Sequence, residues 1–269
     1  MIKTGLVSVT FRKLAPKELV SLTKQAGLDG IEWGGDLHVP PGDILKARQV
    51  YELTTDEGID IAAYGSYYRI GCQENCIDDF KRVLESAVEL KAPTIRVWAG
   101  NKSSKEADQF WWEKIVSESR VIAELAGEAG ISISYEYHRN TLTDSNETAV
   151  RLLENVNHQN VYTYWQPLSE YDFHIRAQGL TRIKTKLTNL HVFHWISNTR
   201  APLKLGTEDW SKYLQAVLEE KNHYALLEFV MNDSETQLRQ DAETLKTLVS
   251  VLNKTGSDLL PQKGCSKNG

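Results

Sequence analysis

The chain is organised around one stretch, Ile131-Ser-Ile-Ser-Tyr-Glu136-Tyr-His138-Arg-Asn140, which has the pattern of a buried β-strand. The strand ends on a carboxylate, Glu136, and an imidazole, His138. A second apolar stretch, residues 224–230, carries Glu228 near its end. Burying an unpaired ionised carboxylate costs several kcal/mol or shifts its pKa. Two such strands therefore indicate a shared partner for the carboxylates, and a metal ion is the first candidate.

Outward from this stretch, a short apolar strand followed by a longer amphipathic helix recurs eight times along the chain. This number predicts a single (β/α)8 TIM barrel over residues 1–254, followed by a disordered tail at 255–269. A doubly wound open sheet is the alternative, but the chain has neither a Gly-x-Gly-x-x-Gly motif nor a Walker phosphate loop. The predicted strands are 5–10, 30–33, 60–64, 94–98, 131–137, 161–165, 189–195 and 224–230.

The composition of the chain indicates which binding partners and which cellular compartment to expect. The 269 residues carry a formal net charge of -5, so a basic surface for nucleic acid is not expected. No apolar run reaches the roughly 20 residues that cross a bilayer, and the N-terminus has no signal-peptide pattern. The three cysteines form no disulfide framework and no zinc-ligand pairs. We therefore expect a cytoplasmic protein that binds neither nucleic acid nor membrane.

Polar and aromatic residues follow most of the predicted strands. In a barrel, the carboxyl ends of the strands meet at one mouth, where the chemistry of such enzymes takes place. Glu136 and Glu228 follow apolar strands and would share that cavity, whereas a single histidine at a strand end is more often structural. The residues expected at the mouth are Glu32, Trp33, Asp36, His38, Tyr64, Ser66, Tyr67, Arg96, Trp98, Asn101, Glu136, His138, Gln166, His191, His194, Arg200 and Glu228.

The tryptophans and the arginine on these strands allow more than one interpretation. Trp33, Trp98 and Trp165 are equally compatible with core packing and with stacking on the C–H faces of a sugar. Arg96 lies inside a predicted strand, where an unpaired charge is costly. We expect Arg96 to neutralise Glu32 or another buried carboxylate.

With these residues in place, the chain resembles the sugar isomerase/epimerase superfamily, whose members have the xylose isomerase-like barrel. The resemblance covers residues 5–252. It is carried by Gly30-Ile-Glu-Trp-Gly-Gly-Asp-Leu-His-Val-Pro40, Ala92-Pro-Thr-Ile-Arg-Val-Trp-Ala-Gly100, Tyr135-Glu-Tyr-His-Arg-Asn-Thr-Leu-Thr-Asp144, Asn189-Leu-His-Val-Phe-His-Trp195 and Leu227-Glu-Phe229.

The resemblance implies one divalent cation, which would be Mn, Mg, Co or Zn. Its ligands in the family are a Glu from strand 5, an Asp from strand 6, a His from strand 7 and a Glu from strand 8. These correspond here to Glu136, Gln166, His191 and Glu228, with His194 as a competing alignment for strand 7. Gln166 departs from the family pattern because an amide oxygen can ligate a hard cation but brings no charge.

The resemblance also implies an activity: isomerisation or epimerisation of a small polyhydroxy substrate by proton transfer alpha to a carbonyl. Glu136 and Glu228 would then be the catalytic acid/base pair. A barrel that binds sugar without turnover, with a degenerate metal site at Gln166, is the alternative, and a DNA-repair endonuclease is disfavoured because it needs more His and Asp ligands and a basic groove. Members of the superfamily are often homo-oligomers. The implied substrate-binding residues are His194, Arg200, His138, Trp98, Trp33, His38 and Tyr67.

Overall fold

Eight parallel strands close into a barrel in the computed structural model, which describes residues 1–218 and 222–258. Around the barrel the order is β1, β2, β3, β4, β5, β6, β7, β10 and back to β1, while β8 and β9 form a separate hairpin. The strands are β1 Ile2–Val7, β2 Gly30–Gly34, β3 Asp60–Arg69, β4 Thr94–Trp98, β5 Ser132–Tyr135, β6 Val161–Trp165, β7 Leu187–Val192, β8 His194–Ile196, β9 Thr199–Ala201 and β10 His223–Leu227.

A helix follows each barrel strand, which confirms the predicted (β/α)8 fold. Several helices begin where an Asp, Asn or Ser side chain accepts a hydrogen bond from a backbone N–H of the first turn, as Ser145 does at the start of α5. The helices are α1 Pro16–Ala26, α2 Ile44–Asp56, α3 Cys76–Glu89, α4 Gln109–Glu128, α5 Asn146–Val156, α6 Phe173–Ile183, α7 Thr207–Val217 and α8 Glu235–Asp258.

Two further predictions concern the C-terminal tail and membrane-spanning segments. Helix α8 extends through Asp258, so the first four residues of the predicted tail belong to it, and residues 259–269 lie outside the described part of the chain. Across the described ranges, no helix combines the length and the apolar character that crossing a membrane requires.

The seventh strand differs from its prediction. Strand β7 ends at Val192, and His194 lies on the β8–β9 hairpin instead of on the predicted strand 189–195. The hairpin pairs His194 with Ala201 across a two-residue turn. Ser197 and Asn198 in this turn have φ of 48° and 62°, as a twist-matched two-residue turn requires. The chain therefore leaves the barrel at Phe193, two residues before the apolar pattern ends.

The wall between β1 and β2 is packed too closely for any side chain at Gly5. A Cβ on Gly5 would lie 2.6 Å from the carbonyl oxygen of Gly30 and 2.6 Å from Cδ2 of Leu226. Neither neighbour can move easily, because Gly30 is hydrogen-bonded in the sheet and Leu226 is completely buried. This close approach fixes how β1 meets β2 beneath the barrel mouth.

We expect Gly5→Ala to lower the free energy of unfolding by about 2 kcal/mol, because overpacking a filled core forces its neighbours to move. Gly127→Ala is the control, since Gly127 is exposed on α4 and a Cβ there meets only the side chain of Asn160. The control should change stability by less than about 1 kcal/mol. Denaturant unfolding of both variants measures the difference, and equal stabilities would show that the barrel wall can relax.

Candidate metal centre

Three buried side chains from different strands converge at the barrel mouth. Glu136 and Glu228 each follow the last residue of a strand, and His191 lies within β7. His191 Nδ1 lies 3.3 Å from Oε2 of Glu228 and 3.7 Å from Oε1 of Glu136. One ligand atom from each of the three residues lies within 4.8 Å of the others. Two carboxylates and an imidazole so placed could hold a metal cation.

Gln166 supplies a fourth candidate ligand atom to this group. Its Nε2 lies 2.6 Å from the backbone carbonyl of Tyr137, and since a carbonyl can only accept, the amide nitrogen must be on that side. The amide oxygen then points to His191 Nδ1, at 3.0 Å. Gln166 therefore presents an oxygen to the same point as Glu136 and Glu228, but without a charge.

The other ring nitrogen of His191 faces a third carboxylate. His191 Nε2 lies 3.4 Å from Oε2 of Glu32, in the middle of β2, so the two nitrogens of the ring have different partners. A carboxylate that accepts from the remote nitrogen fixes the tautomer and orientation of a metal-binding histidine. His191, with Nδ1 directed at the centre, is therefore the histidine that fits a cation here, whereas His194 lies on the hairpin.

Arg96 links the buried carboxylates, as the sequence predicted. Its Nε donates to Oε1 of Glu32 at 2.6 Å, and its Nη1 donates to Oε2 of Glu136. The indole N–H of Trp98 donates to the same oxygen of Glu136. These two donors occupy Oε2, and the other oxygen, Oε1, is the one nearest to His191. Glu136 is thus held with one oxygen directed at the centre.

Burial and charge act in opposite directions on the ionisable groups. Burial alone would raise the pKa of Glu32, but Arg96 and His191 outweigh it and lower the pKa to about 2. Burial would lower the pKa of His191, but the charges of Glu228 and Glu32 raise that pKa to about 10. With His191 neutral, as a metal ligand must be, the carboxylates of Glu32, Glu136 and Glu228 outnumber the guanidinium of Arg96 by two charges, which one divalent cation would neutralise.

A pocket of about 250 Å³, which we call the catalytic pocket, opens above this centre. Three predicted substrate-binding residues, Tyr67, Trp98 and His138, line it. The rings of Trp98 and His138 stack with their centroids 4.4 Å apart. The aromatic and imidazole walls of the catalytic pocket are Tyr67, Trp98, His138, Phe193, Trp195 and Phe229.

Two other residues predicted to bind substrate, Trp33 and His38, lie in the core. Trp33 is fully buried, and its ring meets the ring of His38 edge to face at 5.9 Å. His38 contacts the hydroxyl of Ser8 at 3.0 Å and the carbonyl of Leu14 at 3.2 Å. Both side chains therefore stabilise the loop after β2 and do not reach the catalytic pocket.

His194 and Arg200 also lie away from the catalytic pocket, because the hairpin carries them. His194 lines a neighbouring cavity. Arg200 pairs with Asp233 at 2.5 Å, and its guanidinium lies 4.9 Å from the centroid of the Phe229 ring. Arg200 thus supports a wall of the catalytic pocket from outside instead of binding substrate oxygens directly.

Several aromatic residues that line the pocket were not predicted from the sequence, among them Phe193, Trp195 and Phe229. The signal for Phe229 was its position directly after Glu228. Phe229 has φ of 55° and Tyr67 has φ of 59°, a left-handed backbone that bulky residues rarely adopt. Strain of this kind costs about 1–3 kcal/mol per residue and is found where surrounding structure fixes a functional position.

Comparison with known proteins identifies the family. The family described as xylose isomerase-like TIM barrel matches residues 20–248. The chain belongs to this family. A 3-dehydroshikimate dehydratase from Bacillus anthracis is 27% identical over 177 residues, which are 60% of each chain, so the match spans less than two thirds of that relative.

Solved structures show the same barrel. A probable 3-DHS dehydratase from Bacillus anthracis superimposes with a TM-score of 0.78 at 20% identity, over 91% of this chain and 99% of the other. An L-ribulose 3-epimerase superimposes with a TM-score of 0.76 at 11% identity, over 98% of this chain and 100% of the other. At these identities the likeness concerns the fold.

The contact between Glu32 and His191 generates a prediction. We expect Glu32→Gln to weaken Mn²⁺ binding by about 10–100-fold, because the histidine loses its orienting carboxylate. The same change should lower the free energy of unfolding by about 3 kcal/mol, because it breaks a buried ion pair. Calorimetric titration with Mn²⁺ and denaturant unfolding measure the two effects.

Glu118→Gln is the matched control, because Glu118 is also a buried carboxylate but accepts a hydrogen bond from Tyr68 instead of contacting the centre. It should leave the affinity for Mn²⁺ unchanged. If both variants bind Mn²⁺ as tightly as the unmodified protein, Glu32 has no role in orienting His191.

Proposed function

We propose that the chain is a divalent-cation-dependent isomerase or epimerase, which moves a proton alpha to the carbonyl group of a small polyhydroxy compound. The observation that carries the proposal is the convergence of Glu136, His191 and Glu228 at the base of an aromatic-walled pocket. Glu136, Gln166, His191 and Glu228 would hold the cation. When bound, such an ion supplies a Lewis acid that polarises the carbonyl oxygen.

The two carboxylates are held differently, and this difference assigns their roles. Oε2 of Glu136 accepts from Arg96 and Trp98, which take up both lone pairs of that oxygen. The carboxylate of Glu228 contacts His191 and has no such pair of donors among the contacts of the described residues. We therefore assign Glu228 to take the proton from the carbon alpha to the carbonyl, and Glu136 to hold the cation through Oε1.

His138 is placed to handle a second proton. Its Nδ1 lies 2.7 Å from the backbone carbonyl of Arg139, so Nδ1 carries a hydrogen, and the neutral form of the ring has its lone pair on Nε2. The ring lines the catalytic pocket. Nε2 can therefore accept a proton from a substrate hydroxyl, or return one to a substrate oxygen, while Glu228 acts at carbon.

Dehydration of a hydroxylated cyclic keto acid is a second candidate, favoured by the similarity to a 3-dehydroshikimate dehydratase. The first step would be the same removal of a proton alpha to the carbonyl. The neighbouring hydroxyl would then leave as water, with a proton from Nε2 of His138 in its imidazolium form, which solvent protonates beforehand, and a carbon–carbon double bond would form. The flat aromatic walls of the pocket suit such a ring.

A sugar-binding barrel without turnover remains the non-catalytic candidate, and Gln166 is the observation behind it. In a decayed site, this side chain would be free to turn away from the centre. Here the hydrogen bond to Tyr137 holds the amide oxygen toward His191. This orientation supports a retained ligand and so favours the enzyme over the decayed site.

A panel of substrates in deuterated water tests the proposal. L-Ribulose, D-psicose and 3-dehydroshikimate are incubated with Mn²⁺, Mg²⁺, Co²⁺ or Zn²⁺ in turn. We expect deuterium to be incorporated at the carbon alpha to the carbonyl in a compound of the true substrate class. The product then identifies the reaction: an epimer indicates epimerisation, and an aromatic product indicates dehydration. Chelation of the cation should abolish both signals.

Glu228→Gln should lower turnover of the identified substrate by about a thousandfold, because the base is lost. Glu170→Gln is the control, since Glu170 lines the rim of the catalytic pocket and pairs with Arg139 at 3.6 Å on the exposed side. The control should retain turnover within about threefold, as expected for an exposed ion pair. Full turnover by Glu228→Gln would refute the role assigned to this carboxylate.

A further inference from the structure

A second cavity, which we call the hairpin cavity, adjoins the catalytic pocket. Its volume is about 230 Å³, close to that of the catalytic pocket. Both spaces are lined by Pro167, Ser169, Phe193 and Trp195, so these four residues form a shared wall. The rings of Phe193 and Trp195 lie 5.6 Å apart at an angle of 53°. The two spaces are therefore neighbouring compartments at one side of the barrel mouth.

The local fold builds the hairpin cavity from three elements. The β8–β9 hairpin brings His194 and Asn198, α6 brings Arg176, and α7 brings Asp209. Gly206, just before α7, leaves room for the ring of His194, since any side chain at this position would overlap it. The departure of the hairpin from β7 thus opens a compartment that a plain barrel would not have.

The side chains of the hairpin cavity suit a hydroxylated ring. Asp209 supplies a carboxylate and Asn198 an amide, which together offer both acceptors and donors to neighbouring hydroxyls. Burial lowers the pKa of His194, so its ring is neutral near pH 7 and can donate and accept. The rings of Trp210 and Tyr213 add aromatic surface of the kind that packs on C–H faces.

The guanidinium of Arg176 is held in place at this cavity. Its Nε donates to the carbonyl of Leu168 at 2.9 Å, and its Nη2 lies 3.4 Å from the carbonyl of Ser169. An arginine tied to backbone in this way loses little further freedom when a ligand binds. The hairpin cavity is therefore organised before any ligand enters it.

We propose that the hairpin cavity is a subsite for a second hydroxylated ring, so that the substrate is a two-unit compound such as a glycosylated ketose. The reacting unit would occupy the catalytic pocket, and the second unit would bind beyond Phe193 and Trp195. This inference rests on the proposed function and deepens it, because it names the substrate class. Asp209 is the residue on which recognition of the second unit depends most.

Calorimetric titration with two sugars tests the subsite without requiring turnover. D-Fructose offers one unit, and maltulose offers the same ketose with a glucose attached; both are titrated in the presence of Mn²⁺. We expect maltulose to bind at least about tenfold more tightly than fructose. Asp209→Asn should remove that gain, about tenfold for a lost charged hydrogen bond, and leave the affinity for fructose within about twofold.

Glu208→Gln is the matched control, because Glu208 lies in the same first turn of α7 but is exposed and pairs with Lys212 at 2.6 Å. Glu208→Gln removes one negative charge, as Asp209→Asn does, and should leave the affinities for fructose and maltulose unchanged. Equal affinity of the unmodified protein for both sugars, or equal weakening of both by Asp209→Asn, would overturn the subsite.

The same two sugars separate this inference from the proposed function. Deuterium incorporation without a gain in affinity for maltulose would refute the subsite and keep the reaction. A gain that depends on Asp209, without deuterium incorporation in either sugar at any added cation, would keep the subsite and count against the reaction. Failure of both sugars to bind would overturn the subsite.

Discussion

The ion pair network around Arg96 is the interaction on which the rest of the site depends. Arg96 is 1% exposed and bonds at once to Glu32 on β2 and to Glu136 after β5. Strand β3 lies between β2 and β4, and it permits this contact because residue 65 is glycine. A Cβ on Gly65 would lie 2.6 Å from Nη2 of Arg96 and 2.7 Å from Oε1 of Glu32. Because Gly65 on β3 has no side chain, Arg96 on β4 and Glu32 on β2 can form an ion pair across it.

The network continues from this ion pair into the metal centre. Glu32 reaches His191, and His191 reaches Glu228 and Gln166, so groups from six strands or their ends form one connected set. Buried charges in such a set stabilise the protein only when each has its partner. The same contacts that make burial of the carboxylates tolerable also direct their free oxygens to a common point. Stability and the candidate chemistry therefore depend on the same side chains.

The fold and the centre of the site could be predicted from sequence because their signals are local. Repeated strand–helix units give the barrel, and carboxylates at the ends of apolar strands give Glu136 and Glu228. The position of His194 could not be predicted, since the apolar pattern of 189–195 runs on through the point where the chain turns into the hairpin. The positions of Trp33 and His38 could not be predicted for another reason. An aromatic ring near the end of a strand packs equally well in the core or at the barrel mouth.

Anomalous diffraction is the most direct way to detect a single cation bound by Glu136, His191 and Glu228. Crystals soaked in MnCl₂ would be measured at an X-ray energy where manganese scatters anomalously. We expect a single strong peak among Oε1 of Glu136, Nδ1 of His191 and Oε2 of Glu228, with the oxygen of Gln166 alongside. An ordered pocket without a peak at that point, in crystals where the three side chains keep these positions, would contradict it.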